Sequence, residues 1–328
     1  MDNLRPISSI LYPEDIARFI AEKYAIAGKC KLLKAGINHS YLLTTAKEKY
    51  VFRLYSYNWR SLEEINAEIE LLRLLSDNQM PVSFAIANED GLYVHEIKAP
   101  EGNRFGVLFS YAEGEKILTF SEQTHYNVGV AMAKIHQLTK DKTLHRVHYG
   151  YDNLLNDTFN YLPEFLPTTT EEYQFMLQLK KFLATQLKEA NSLQLRKGIV
   201  HLDIWFDNMN ISPNGEIVIF DFDFCGHGWL CLDLAYYILQ IHSVEAKVED
   251  FYLKKDAFLN GYQSITTLTA EEQRLLPMLG LAAYVFYIGI QCKRFNDWSN
   301  TFLNELYLSR FINLRVKRWF DFNELKFQ

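Results

Sequence analysis

Basic residues are in deficit. The chain has 34 Lys and Arg against 40 Asp and Glu, a formal net charge of −6. Nucleic-acid and anionic-membrane binding rest on clustered positive charge, so neither is expected. Cysteine is scarce too: Cys30, Cys225, Cys231 and Cys292 form no C-x-x-C pair. That excludes a disulfide framework and a cysteine zinc site, and with no basic-then-apolar block at the start it points to a cytoplasmic setting. Long apolar runs are also missing. The longest, Leu275 to Ile290, falls short of the roughly 20 residues of a membrane-spanning helix and contains Pro277, Gly280 and Gly289. It reads as a core helix. Charged residues at 23% beside 48% hydrophobic residues exclude wholesale disorder.

What is present changes character along the chain. Pro13 to Tyr24 opens with proline and acids and carries Ile16, Phe19 and Ile20 at helical spacing. Three strand-like runs follow, 30–34, 40–45 and 49–56, then the helix Ser61 to Ser76, whose Ser61 and Glu64 form a capping box. Strands are expected at 83–88, 91–98 and 104–111. Ala112, Glu113 and Gly114 break the pattern, which predicts two lobes, 1–112 and 113–328. Beyond them, 121–138, 171–191, 229–241, 248–261, 271–294 and 303–320 read as helices. Short β-like runs remain at 199–203, 209–211 and 216–220, the last two joined by the turn SPNG. The expectation is an α+β fold with a ligand cleft between a strand-rich and a helix-rich lobe.

Chemistry concentrates in VHLDIWFDNMNISPNGEIVIFDFDFCGHGWLCLDLA, residues 200–235. Carboxylates set among Ile219, Phe220, Phe222 and Phe224 are costly to desolvate without a compensating cation. Asn208 and Asp221 supply hard oxygen donors, which suit Mg²⁺ held together with substrate phosphates. Asp203, five residues before Asn208, stands where a phosphoryl-transfer template places the proton acceptor.

The string His201-Leu-Asp203-x-x-x-x-Asn208, with Asp221 eighteen residues after Asp203 and then Asp233-Leu-Ala-Tyr, resembles the aminoglycoside phosphotransferase and choline kinase superfamily. The resemblance implies a protein-kinase-like bilobal fold, with an antiparallel β-rich N-terminal nucleotide-binding lobe and a mostly helical C-terminal lobe that is catalytic and binds the acceptor. It implies Asp203 as catalytic base with His201 supporting its loop, Asn208 and Asp221 as metal ligands, and Asp233 as a stabiliser. Asp223 is left open between ligand and structural carboxylate. For the nucleotide it implies the turn Gly36, Asn38, His39 and Ser40 over the phosphates, Arg53 as their cation with Glu68 as its ion-pair partner, and Ser110, Tyr111 and Ala112 as the adenine connector. Arg53 departs from the more frequent Lys, a planar fork in place of a point charge.

The implied activity is ATP- and Mg²⁺-dependent phosphorylation of a small-molecule hydroxyl: an amino alcohol, a hydroxy amino acid such as homoserine, or an aminoglycoside-like sugar. VGVAMAKIHQLT, KRFNDWSN and VKRWFDF are similar to homoserine-kinase-like and stress-response-kinase-like branches. A Ser/Thr protein kinase, a non-catalytic nucleotide-binding regulator and a metal-dependent hydrolase remain alternatives. Tyr151, Tyr161, Trp205 and Trp229 are candidates for an acceptor pocket. Oligomeric state is not legible.

Overall fold

The computed structural model describes residues 4, 6–117, 119–297 and 302–327. Trp298 to Asn300 of KRFNDWSN lie outside them. Two compact units are present. The first holds the described residues of Met1–Glu113, Val218–Phe220 and Asn296–Ser299; the second holds those of Gly114–Ile217, Asp221–Phe295 and Asn300–Gln328.

In the first unit, helix α1 (Pro13–Tyr24) precedes strands β1 (Lys29–Ala35), β2 (His39–Thr44) and β3 (Lys49–Leu54), then helix α2 (Leu62–Asp77) and strands β4 (Val94–Ala99) and β5 (Gly102–Ser110). The five strands form one antiparallel sheet in the order β1-β2-β3-β5-β4. Ile16, Ile20 and Tyr24 of α1 pack on Tyr41, Leu43, Phe52, Leu54 and Leu108 of the sheet. Each such side chain contributes about 1.5–3 kcal/mol through burial. The capping box at Ser61 and Glu64 is formed and starts α2.

Residues 83–88 are not the expected strand. The β4 ladder ends at Val94 opposite Val107, and residues 84–86 continue along the same edge of β5 through an Ala85–Phe109 bridge and the bonds Ile86 N–H to Leu108 O and Ser110 N–H to Phe84 O. That leaves room for a contact too short to count as a strand.

The second unit is mostly helical. Its helices are α3 (Glu122–Thr139), α4 (Thr158–Tyr161), α5 (Glu171–Glu189), α6 (Cys231–Val244), α7 (Val248–Gln263), α8 (Ala270–Lys293), α9 (Glu305–Phe311) and α10 (Arg318–Phe322). The expected single helix over 303–320 is thus divided, with a wide-turn stretch at Ile312–Lys317 between α9 and α10. Short strands β6 (Lys197–Val200) and β9 (Gly226–Trp229) pair antiparallel, and β7 (Met209–Ile211) precedes the SPNG turn; β8 (Ile217–Ile219), which follows the turn, begins at the last residue of the Gly114–Ile217 segment and otherwise belongs to the first unit. Strand β9 replaces the expected helix start at Trp229; its pairing partner lies about thirty residues back, beyond any local signal.

Helix α8 is long and apolar enough to cross a membrane, but it is a core helix here, with Leu275, Leu279, Leu281 and Val285 fully buried. It accommodates Pro277 internally, whose carbonyl accepts from Trp319 Nε1 at 2.9 Å.

Helices α3 and α7 approach so closely that an added Cβ at Gly129 would lie 2.1 Å from the Phe258 carbonyl oxygen, and one at Gly261 2.0 Å from that of Tyr126. Both obstacles are backbone, so neither yields by a side-chain rotation. Gly261→Ala is expected to cost roughly 2–3 kcal/mol by forcing the helices apart. A thermal melt equal to that of the parent would refute this.

Three imidazoles are held neutral by burial. His39, His125 and His242 are each 4% exposed or less, and desolvation, aided by Arg104, Lys254 and the Arg318–Arg315 pair respectively, lowers each to about 4. The unfolded chain, with histidine near 6.5, binds more protons than the native state between those values. Stability from these groups is therefore complete above about pH 6.5 and is lost as pH falls toward 4. At pH 5 the loss is on the order of 1–2 kcal/mol per histidine. Asp203, described below, opposes this with one group against three. Melting temperatures from pH 8 to pH 5 should fall; a flat profile would contradict the assignment.

Candidate active site

The site grows from the loop between β6 and β7. After Val200 the chain leaves the β6–β9 pair and turns through Leu202, which adopts φ +64°. A left-handed conformation at leucine is strained by roughly 1–2 kcal/mol and persists only where neighbours hold it. Asp233, near the start of α6 and 1% exposed, does so: Oδ2 accepts the His201 amide at 2.8 Å and Oδ1 the Leu202 amide at 2.6 Å. His136 Nε2 lies 3.0 Å from the same carboxylate and keeps it from being an isolated buried charge. His201 Nδ1 accepts the Asp203 amide at 3.1 Å, and its ring packs on Phe222 with centroids 4.3 Å apart. This buried imidazole therefore shapes the loop.

Asp203 receives three side-chain hydrogen bonds. The Tyr236 hydroxyl donates to Oδ1 at 2.7 Å, Tyr287 approaches the same oxygen at 3.1 Å, and Asn208 Nδ2 donates to Oδ2 at 2.7 Å. Although Asp203 keeps some exposed surface, the protein around its carboxyl desolvates it enough to push it up to about 7, with the Asp221 carboxylate adding to the rise and the hydrogen bonds opposing it. Such a group can take up a proton near neutral pH.

Asn208 Nδ2 also donates to the Asp203 carbonyl at 3.0 Å. Both donors of the amide face Asp203, which leaves its oxygen as the acceptor available elsewhere. Asp221, at φ +67°, heads the short helical turn Phe222–Phe224. Among the described residues no group of three His, Cys, Asp or Glu side chains has metal-binding geometry. An amide oxygen and one carboxylate fit a hard cation that keeps water and phosphate ligands, as Mg²⁺ does, rather than zinc. Asp223 is 2% exposed, and its carbonyl accepts from Arg146, whose Nε also donates to the Cys225 carbonyl at 2.9 Å.

In the first unit, Arg53 Nη1 and Glu68 Oε1 are 2.8 Å apart, with Glu68 fully buried and Arg53 8% exposed. The Tyr55 hydroxyl donates to Glu68 Oε2 at 3.0 Å, and the guanidinium lies 4.9 Å from the centre of the Phe109 ring. Gly36 closes the β1–β2 turn through its N–H to the Asn38 carbonyl, while Asn38 Oδ1 accepts the Ser56 amide at 3.3 Å. The His39 ring lies against Arg104, with Nδ1 3.4 Å from Nη2, and Ser40 pairs with Arg53 across β2 and β3. The Ser110 N–H is bonded to the Phe84 carbonyl and its own carbonyl accepts from Ser83 Oγ, so that amide is engaged within the unit. Lys49 Nζ lies 5.0 Å from the Tyr111 ring centre, and Ala112 is buried.

Tyr151 and Trp229 line a cavity of about 490 Å³ in the second unit, with Tyr149, Leu154, Leu232 and Lys188 among its other walls. Trp205 packs on Phe206, and the Tyr161 ring lies 5.7 Å from Lys293 Nζ. Sequence reasoning gave no role to Tyr236 and His136, which stand inside the quoted strings Asp233-Leu-Ala-Tyr and VGVAMAKIHQLT, and did not single out Tyr287 or Arg146. Only Tyr236 carried a usable signal, one helical turn beyond Asp233 on the same face.

The sequence model of the phosphotransferase enzyme family matches residues 29–265. An uncharacterised protein of Synechocystis sp. is 30% identical over 305 residues, 91% of this chain and 83% of its own. A homoserine kinase of Polaromonas naphthalenivorans is 24% identical over 259 residues, 77% of this chain and 78% of its own. Among solved structures, an amicoumacin kinase in complex with AMP-PNP, Ca²⁺ and Ami aligns with a TM-score of 0.78 at 21% identity, covering 97% of this chain and 96% of its own. A microcompartment-associated aminopropanol kinase aligns at 0.77 and 18% identity, covering 96% and 100%. The chain thus belongs to the phosphotransferase enzyme family and has the protein-kinase-like fold of its small-molecule kinases.

Proposed function

We propose that this protein transfers the γ-phosphoryl group of ATP to a hydroxyl of a small amine-bearing alcohol, an amino alcohol or a hydroxy amino acid. The observation that carries the reading is the Asp203–Asn208 pair: a proton-accepting carboxylate bonded at 2.7 Å to the amide of a hard oxygen donor, with Asp221 close enough to raise its pKa. The homoserine kinases among the relatives and the aminopropanol kinase among the structural neighbours favour this acceptor class. Aminoglycoside-like sugars and protein Ser/Thr are the competing acceptors.

In this reading the first unit is the nucleotide-binding lobe. Arg53, oriented by Glu68 and Tyr55, adds positive charge at the phosphates, and the 36–40 turn covers them. The second unit is catalytic. Mg²⁺ held by Asn208 and Asp221 would neutralise phosphate charge. The acceptor oxygen attacks the γ-phosphorus in line, its new O–P bond forming as the bond to the β-phosphate bridging oxygen breaks and ADP leaves. Asp203 receives the hydroxyl proton. The four cysteines, all free thiols, support a reducing compartment.

The test is thermal denaturation with Mg²⁺, with ATP and with both, followed by labelled-phosphate transfer to homoserine, aminopropanol, choline, aminoglycosides and a protein lysate. A shift needing both ligands, with transfer to an amine-bearing alcohol, is the expected result. Transfer to lysate proteins alone would replace the acceptor class. No shift at millimolar ligand would overturn the reading.

A further inference from the structure

Two tyrosines from separate helices converge on one oxygen of Asp203. Tyr236 lies on α6, three residues after Asp233, so one helical turn delivers contacts to consecutive loop positions: Asp233 to the amides of His201 and Leu202, and the Tyr236 hydroxyl to Asp203 Oδ1. Tyr287 arrives from α8. Its hydroxyl sits 2.9 Å from the Leu202 carbonyl and 3.1 Å from Asp203 Oδ1, sharing one proton between strained backbone and carboxylate. The two rings lie 5.4 Å apart.

A buried tyrosine hydroxyl always seeks an acceptor, so one such bond would mean little. Two on the same carboxylate oxygen have a consequence. A carboxylate oxygen offers about two lone-pair sites, and both on Oδ1 are engaged. On Oδ2, Asn208 takes one. Only the second lone pair of Oδ2 is left to receive a proton.

We propose that Tyr236 and Tyr287 are positioning residues that lock the Asp203 carboxylate in one rotamer and make Oδ2 the oxygen that accepts the proton of the acceptor hydroxyl. The proposal rests on the phosphotransferase reading above and adds the residues that orient its base. The O–H bond of the acceptor breaks toward Oδ2 while its oxygen bonds the γ-phosphorus, and the charge on Oδ1 stays with the two phenols. The tyrosines act through Asp203 and touch neither nucleotide nor acceptor.

The experiment uses the full chain with Tyr236→Phe, Tyr287→Phe and both together, assayed with ATP, Mg²⁺ and the acceptor found in the panel. Small misplacement of a reacting group costs on the order of 10- to 100-fold. That loss is expected in kcat for Tyr236→Phe and more in the pair, with KM for ATP and acceptor within about threefold of the parent. In an Asp203→Asn background the same changes should cause no further loss. Parent-like kcat in the double variant, or an equal proportional loss without Asp203, would overturn the proposal while leaving the phosphotransferase reading intact. If the parent transfers phosphate to nothing, that reading fails, and crystal structures of parent and variants still decide the positioning role. Asp203 should occupy one rotamer in the parent and turn or split in the double variant. An unmoved Asp203 would refute it. Should the double variant be unstable, each single variant serves the same comparison.

Discussion

Asp203→Asn should lower turnover by roughly three orders of magnitude while the thermal shift with ATP and Mg²⁺ persists, because a general base acts on the chemical step more than on ground-state binding. The amide fills the same volume but cannot take up the proton. It also turns a donor toward Asn208 Nδ2 or toward the tyrosine hydroxyls, where the carboxylate accepted on both sides. The variant carries a second signature in stability. The folded pKa of Asp203, about 7, lies above that of an unfolded aspartate. The native state therefore holds a proton the unfolded chain releases, and stability is lost as pH rises through 7. Removing the ionisable group should raise the melting temperature more at pH 8 than at pH 5. Parent-like turnover would show that another group accepts the proton, and an equal melting change at both pH values would show that the carboxyl is not strained by desolvation.

Asp221→Asn should have the opposite binding signature. Asparagine tolerates the left-handed conformation Asp221 adopts at φ +67°, so the backbone is retained and only the charge is lost. Turnover is expected to fall at least 100-fold, because charge stabilisation of the transferring phosphoryl group is of that size. The extra stabilisation that Mg²⁺ adds to ATP should disappear, whereas Asp203→Asn keeps it. A titration of melting temperature against Mg²⁺ at fixed ATP separates the two. Retention of the Mg²⁺-dependent shift in Asp221→Asn would remove that residue from the metal site.

The helices were legible because their signals are local. Pro13, the Ser61–Glu64 box and the apolar spacing of 121–138 lie within a few residues of what they specify, and the observed helices begin within one residue of those signals. The SPNG turn is of the same kind: Gly215 N–H bonds to the Ser212 carbonyl inside four residues. Where pairing is distant, local reading failed. Residues 84–86 resemble a strand by composition, yet what they become depends on how much of the β5 edge β4 has already taken. Strand β9 depends on β6 in the same way.

For the proposed site, spacing together with the family resemblance nominated the candidate residues. Asp203, Asn208 and Asp221 are close in sequence and of types few other roles combine, so a loop and a hairpin suffice to gather them. Their state is a tertiary matter. Asp203 is raised by surrounding protein and by Asp221, held by phenols 33 and 84 residues away, and set on a loop whose strained Leu202 is pinned by Asp233. Hydrogen bonds across such separations exist only once α6 and α8 have packed. The sequence by itself determined which residues are the candidates for the proposed chemistry. Which oxygen of Asp203 stays open, and at what pH it accepts a proton, only the packed helices decided, because desolvation and side-chain convergence belong to no short segment of the chain.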